Sequence, residues 1–393
     1  MILDTPPLKV GIIGTGFIAR YFIQELLRRP AYQLAKVLTR RPVDRCPDFP
    51  CPDMLVNALD AIIESSDVVF ECTGDSFYAA TTVGAILDAG IPVVTLNAEF
   101  HSTIGSHYVR RGLLSESEGD QPGSLAALYE DAVALGFTPL VCANMKAFLN
   151  LTPTPEEMKY WAERQNYSLE MVTSFTDGTK IQIEQCLVAN GLGLDIAQEG
   201  LTGLPTADLS AAATELGEIA EKLDAPISDF ILDRSLPHGV FIIARHDENQ
   251  VIPLRNYKMG GGPYYVLVKQ YCLAHLEVFK TIERVVHGSR PLLNNSAEPK
   301  ISVASVAKRE LKPGETISRG YGSFDLRGIC VRINERPDHL PICLANDVRI
   351  SQHLEPGQIV TMDDVELPES EALSAWEAIS GRQEGIMRRK GSS

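Results

Sequence analysis

The sequence predicts an α/β fold: a doubly wound parallel sheet, then an α+β domain, then a small all-β module. Three observations carry this. Residues 9–29, "KVGIIGTGFIARYFIQELLRR", set a G-x-G-x-x-A turn between a buried strand and an amphipathic helix. Apolar strands ending in polar turns recur after it, as in "SSDVVFECTGD" and "GIPVVTLNAEF". Near the C-terminus, "KRELKPGETI" (308–317) and "SQHLEPGQIVTMDDVEL" (351–367) repeat L-x-P-G-x-x-[IV], each a Pro-Gly turn feeding a strand.

A length of 393 residues exceeds one compact core and points to two or three domains. The composition is that of an ordinary globular protein, with 45% hydrophobic and 22% charged residues. A net charge of −15 argues against a nucleic-acid partner. No apolar run reaches membrane-spanning length. The opening "MILDTPPLKVGIIG" has no basic segment followed by an apolar one, so no export signal is expected. Cysteines 46, 51, 72, 142, 186, 272, 330 and 343 form no C-x-x-C pair, which suggests neither a zinc site nor a disulfide framework and fits a reducing cytoplasm.

The first domain is expected over residues 1–150 as a dinucleotide-binding Rossmann unit. Gly14 allows the tight turn, Gly16 lets a pyrophosphate reach the backbone, and Ala19 permits close helix–strand packing. The anion would lie on the helix start at Phe17 and Ile18, where free amides and the helix dipole favour it. The second strand, "YQLAKVLTR", ends in Arg40 and Arg41 where an NAD-specific site usually carries an acid. Arginines suit a 2′-phosphate, so NADP is expected rather than NAD; the alternative is two solvated arginines. Thr73, Gly74 and Asn97 follow strand ends, where such sheets bind ligands. A further strand, "GFTPLVCANMKAFLN", is read as part of this domain and brings Lys146 to its end. "GDQPGSLAALYEDAVALG" before it reads as a turn entering a helix.

Residues 151–299 read as a substrate-binding and oligomerisation domain. "YSLEMVTSF" is a strand candidate and "HGVFIIARHD" another; "DGTKIQIEQCLVANGLGL" and "LSAAATELGEIAEKL" read as helices. "VIPLRNYKMGGGPYYVLV" reads as a turn between strands. "YYVLVKQYCLAHLEVFKTIERVVHG" reads as one long helix packing back on the first domain or on a partner subunit. Asp177, Lys180 and Glu184 crowd the front of an otherwise core-like helix. Asp177 is open to a plain N-cap reading and Lys180–Glu184 to an exposed i,i+4 pair. Against that, Ile181 and Ile183 flank the pair, and Lys146, ending a strand of the first domain, is expected to face the cleft. Reduction of a ketone needs a proton donor or a positive group at the developing alkoxide, and Lys180 is the candidate, with Asp177 and Glu184 orienting it or handling protons. Arg255, Lys258, Gly260 and Tyr264 form a glycine-rich segment with cations that suits a phosphate, or else a plain hairpin. His238 reads as a turn residue.

Taken together, "GIIGTGFIA", "CTGD", "VVTLNAEF", "GDQPG", "DGTKIQIEQ" and "YKMGGGPYY" resemble a family of SAF-domain oxidoreductases distantly related to homoserine dehydrogenase. One branch is the 1-deoxyxylulose 5-phosphate reductoisomerase-like enzymes, which make 2-C-methylerythritol 4-phosphate. The resemblance spans nearly the whole chain. It implies a nicotinamide-dependent reduction of a small phosphorylated keto-sugar, with or without rearrangement of the carbon skeleton, and a β-clip SAF domain over residues 300–370; the composition of residues 371–393 reads as a polar tail. Homoserine dehydrogenases carry a lysine in a T-A-N-K-A pattern; here Thr95-Leu96-Asn97-Ala98-Glu99 has Ala98 at that position. Enzymes of reductoisomerase activity use a divalent metal, Mg or Mn, and Asp177, Glu184 and Asp120 offer oxygen ligands, though no spacing demands one. A homo-oligomer is the base-rate expectation. The alternatives are a homoserine-dehydrogenase-like enzyme acting on another polyol, sugar acid or aldehyde, and a non-catalytic nucleotide-sensing or assembly protein.

Overall fold

A computed structural model describes residues 6–165 and 167–381. The first unit runs β1 (Leu8–Ile13), α1 (Phe17–Leu26), β2 (Tyr32–Leu38), β3 (Leu55–Val56), α2 (Asp60–Ile63), β4 (Val68–Glu71), α3 (Ser76–Asp88), β5 (Val93–Thr95), α4 (Ala98–Tyr108) and β6 (Leu114–Glu116). Its strands pair in parallel in the order β3-β2-β1-β4-β5-β6. β1 and β4 carry Val10, Ile12, Ile13, Val68, Val69 and Phe70, all without solvent contact, as a sheet covered on both faces requires. The topology is the α/β doubly wound one, and the strand order reverses between β1 and β4, where such sheets bind their ligands.

The middle of the chain holds α5 (Gln121–Ala134), β7 (Thr138–Lys146), α6 (Pro155–Gln165), α7 (Leu169–Thr176), α8 (Thr179–Leu192), α9 (Leu209–Leu223), β8 (Ile227–Leu232), β9 (Val240–Arg245), α10 (Val251–Asn256), β10 (Tyr265–Lys269) and α11 (Ala274–Gly288). A mixed sheet, β10-β9-β7-β8, is built here, with only β7–β8 parallel. Three expectations change. β7 belongs to this sheet and not to the dinucleotide-binding one, so the first sheet closes at β6. "YSLEMVTSF" is the helix α7, because the Ser168 hydroxyl accepts the Met171 amide and caps it. The expected long helix divides into β10, whose residues pair along β9, and α11. α11 does pack on the first unit: Phe279 stacks on Phe22 at 4.9 Å between ring centres.

The C-terminal module comprises β11 (Ile301–Ala307), β12 (Thr316–Arg319), β13 (Leu326–Arg332), β14 (Asn346–Ile350) and β15 (Val365–Glu366). They form a β11–β13 pair and a β12-β14-β15 sheet, all antiparallel. The sequence repeat has a structural meaning: Leu311 and Leu354, the first residues of the two L-x-P-G segments, exchange both backbone hydrogen bonds at 3.0 Å. Gly314 and Gly357, each after its proline, both adopt positive φ, 91° and 87°. Residues 371–380, expected as polar tail, form a helix, α12 (Glu371–Ser380), that buries Trp376 against α3 and α4. The remainder of that tail, 382–393, lies outside the described residues.

α8 is the hub. Twelve of its residues, Thr179 to Asn190, are buried, because the helix touches α4, α5, β8, β11 and β13 at once. A helix buried all round is normally apolar; here the polar side chains are bonded to their surroundings, with Gln185 Nε2 the one α8 side-chain atom buried without a partner among the described residues. Asn190, for example, is bonded through both amide atoms to the start of β11.

Candidate active site

The dinucleotide end of the cleft is built by β1, α1 and the strand ends beside them. Gly14 has φ +119°, and a Cβ there would lie 3.2 Å from the Cys72 carbonyl oxygen, so only glycine fits the turn. Gly16 caps α1 without any side-chain bond and has open space where its Cβ would be. The amides of Phe17, Ile18 and Ala19 have no acceptor among the described residues. This arrangement fits the pyrophosphate of a dinucleotide. At the end of β2, Arg40 pairs with Asp75 at 2.8 Å and lies 4.6 Å over the Tyr78 ring. Arg41 is exposed and makes no ion pair among the described residues. Asn97, expected to touch the cofactor, is fully buried: its side chain caps α4 through the Phe100 amide and reaches toward Glu71 and Thr73. Thr73 hydrogen-bonds Glu71 in turn, so this pair shapes the strand end, and Gly74 turns the chain with a φ of 66°.

Lys180 stands on the first turn of α8 and points across to the first unit. Its Nζ lies 2.9 Å from Glu99 Oε1 at the start of α4. The Tyr321 hydroxyl of the C-terminal module donates to the same oxygen at 2.7 Å and accepts from Ser174 at 2.9 Å. Burial opposes the ammonium, but Glu99, with Asp120, Tyr321 and Glu184, overcomes this and keeps the Lys180 pKa well above its usual value. Burial likewise works against the Glu99 carboxylate, and Lys180 and Tyr321 together hold its pKa below the ordinary one. Lys180 is therefore a fixed cation, and the exposed i,i+4 reading fails because the side chain is buried and pairs with Glu99.

One turn along, Glu184 accepts from Asn144 Nδ2 at 3.0 Å and lies 3.9 Å from Lys146 Nζ. Asn144 and Lys146 alternate along β7 and so share the face turned toward α8. Burial pushes the Glu184 carboxyl up to about 7, against the pull of Lys146. Asp120, at the N-terminus of α5, bonds no helix amide with its side chain, and its charge reaches Lys180, Glu184 and His238. The "GDQPG" stretch holds it there through close contact. A Cβ on Gly119 would come 2.8 Å from Ala274 Cα, and one on Gly123 would come 1.9 Å from the Ser117 carbonyl oxygen. Desolvation of the His238 ring and then Lys146 lower its pKa, with Asp120 opposing. Beneath the cluster, His101 Nδ1 meets Glu116 Oε2 at 2.8 Å. Burial lowers the imidazole pKa to about 3 and raises the acid well above its usual value, so it works against the charged form of both partners.

Two expected members lie elsewhere. Asp177 turns away from Lys180 and pairs with Lys308 of β-module residues at 2.5 Å, with its other oxygen on the Thr179 amide; the N-cap of α8 is Gly178. The glycine-rich segment with Arg255, Lys258, Gly260 and Tyr264 precedes β10, and Tyr265 pairs with Ala244 beside the start of β7. Lys146 ends β7, so the proposed phosphate cradle sits at the opposite end of the sheet, about 20 Å away by strand rise. Tyr264 there faces Arg245 and Glu221. Nor do Asp120, Asp177 and Glu184 form an ion site: among the described residues no three His, Cys, Asp or Glu side chains gather to hold a metal. Glu99 and Tyr321 were not legible as site residues. Asn144 was visible only as the residue two before Lys146.

Sequence comparison finds two families along the chain. The NAD-binding domain of homoserine dehydrogenase matches residues 14–105, and the catalytic domain of oxidoreductase DRL matches residues 119–278. No curated protein matches. Among solved structures, UDP-N-acetylglucosamine 3-dehydrogenase from Acidithiobacillus ferrooxidans is 12% identical, covering 74% of this chain and 93% of that one, with a TM-score of 0.41. A myo-inositol dehydrogenase from Corynebacterium glutamicum is 12% identical over 72% and 90%, with a TM-score of 0.44.

Proposed function

We propose, for a chain that is a nicotinamide-dependent oxidoreductase, that it reduces the carbonyl of a small phosphorylated keto-sugar with NADPH. The carrying observation is Lys180, a buried cation fixed by Glu99 at the mouth between the dinucleotide-binding unit and α8. Bound NADPH supplies the hydride. Lys180 faces the carbonyl oxygen and stabilises the negative charge that grows there. With a pKa held high, it acts as a charge and not as the proton source. Glu184 gives the proton: titrating near 7, it is the group in the cleft matched to neutral pH. The substrate carbon gains a hydride, its oxygen gains the Glu184 proton, and the carboxylate left behind is reprotonated from solvent. Lys146 offsets that transient charge from 3.9 Å. Arg41, exposed beside the dinucleotide turn, favours the 2′-phosphate of NADPH.

The resemblance of the sequence motifs favours 1-deoxyxylulose 5-phosphate as substrate, with rearrangement to 2-C-methylerythritol 4-phosphate. A second reading, plain reduction of a sugar or polyol carbonyl, is favoured by one observation: among the described residues the carboxylates that a chelating metal would need are not gathered. Incubation with NADPH and 1-deoxyxylulose 5-phosphate, followed by NMR of the product, tests both. A branched methylerythritol phosphate supports rearrangement, an unbranched polyol phosphate supports plain reduction, and no oxidation of bound NADPH with this or other keto-sugar phosphates rejects the function.

A further inference from the structure

The C-terminal module touches the cleft at two places that its sequence does not announce. The first is Tyr321, whose hydroxyl bonds the Glu99 oxygen that holds Lys180. The second is Arg319, which with Tyr321, Cys343 and Asn346 forms one wall of a narrow, solvent-open crevice. The opposite wall is the strand-end loop Gly74–Phe77 together with Glu99. Arg319 lies 5.8 Å over the Tyr321 ring and makes no ion pair among the described residues. Asp75 in the facing wall is already neutralised by Arg40. The crevice thus sets one uncommitted guanidinium across from the β4 strand-end loop and from Glu99, the partner of Lys180.

The module is also bolted to the first turn of α8. Lys308 pairs with Asp177, the Gly328 amide donates to Thr179 Oγ1 at 2.9 Å, and the Cys330 amide donates to Gln182 Oε1 at 2.7 Å. A Cβ on Gly328 would stand 2.7 Å from Val303 Cγ1 and 3.1 Å from Thr179 Cγ2, so the strand lies as near the helix as glycine allows. Residues on both sides of Lys180 are therefore fixed by strands β11–β13.

We infer that the C-terminal module completes the active site, with Tyr321 as a positioning residue for Lys180 through Glu99 and Arg319 as the anchor for the anionic end of the substrate. This rests on the reductase reading above. It also replaces the glycine-rich segment, which lies at the wrong end of the sheet, with a cation that lines the same crevice as Glu99. A guanidinium suits a phosphate or a carboxylate equally, through paired N–H donors.

The test uses the full chain with NADPH and the keto-sugar phosphate that the wild type reduces. Arg319→Gln is expected to raise KM at least about tenfold with kcat within about twofold, and Arg319→Lys to recover part of it. Tyr321→Phe keeps the ring and removes only the hydroxyl; it is expected to lower kcat about tenfold with KM and NADPH affinity unchanged. NADPH affinity, read by fluorescence titration, serves as the folding control. If Arg319→Gln weakens NADPH and spares the substrate, the guanidinium serves the cofactor and the inference fails for that residue. If both variants match the wild type, the module is a brace only. A wild type that oxidises no NADPH with any keto-sugar phosphate rejects the reductase reading instead, a result visible before any variant is made.

Discussion

At the residue scale the account rests on two neighbours on α8 with opposite behaviour. Lys180 stays charged because Glu99, Asp120 and Glu184 outweigh its burial; Glu184 takes a proton near neutrality because its burial outweighs Lys146. Reduction consumes a proton, so the rate should fall as pH rises through about 7, where Glu184 ionises. Glu184→Gln should remove that limb from the pH profile of kcat/KM and lower the rate on its acid side by about 100-fold. The same shift has a consequence for stability. The folded carboxyl holds its proton from the usual 4.5 up to about 7, while the unfolded one has released it. Stability therefore declines with rising pH across that window and levels off above it. Glu184→Gln should flatten that decline, measured as Tm at pH 5 and at pH 8. At the other end of the cleft, Arg41→Ala should reduce the preference for NADPH over NADH by about tenfold, because a guanidinium beside the 2′-phosphate is lost; an unchanged ratio in steady-state assays would remove Arg41 from cofactor choice.

At the scale of elements, close approach decides what sits where. Gly123 lets α5 press on the chain leaving β6, and its Cβ would meet the Ser117 carbonyl oxygen. Gly123→Ala should push the helix outward, displace Asp120, and lower kcat more than NADPH affinity; equal losses would mean general unfolding. Trp376 is 2% exposed on α12 against α3 and α4, and Trp376→Ala should destabilise the fold by about 3–5 kcal/mol in denaturant titration. These elements also explain what the sequence could tell. The β1–turn–α1 unit was legible because its chemistry is local: strand, two glycines, alanine and helix stand in one run. The α8 helix and its acids were legible for the same reason. Asp177 was misplaced because its partner, Lys308, is 131 residues away. The run into α11 reads as helix on apolar spacing alone, and only pairing with β9 makes Tyr265–Lys269 a strand. α7 was hidden because Val172, Thr173 and Phe175 favour strands in isolation, while the Ser168 cap and burial against the C-terminal module select helix.

At the scale of the whole molecule, α8 collects residues from three units and the site exists only where they meet. The first unit gives the dinucleotide turn and Glu99; the middle unit gives Asp120, Asn144 and Lys146; the C-terminal module gives Tyr321. Repeats and turns in the sequence marked the module but not its reach into the cleft, since Tyr321 has no spacing that ties it to Glu99. The buried Lys308–Asp177 pair links the module to α8, with both side chains nearly inaccessible. Lys308→Met leaves Asp177 alone and should cost about 3–5 kcal/mol by denaturant titration, whereas a surface pair would cost under about 1 kcal/mol. The most direct measurement is single-turnover hydride transfer from NADPH to a keto-sugar phosphate, comparing wild type with Lys180→Met, with NADPH affinity titrated on both. The account predicts an unchanged NADPH affinity and a rate at least about 100-fold lower in the variant. Hydride transfer at the wild-type rate without Lys180 would contradict it.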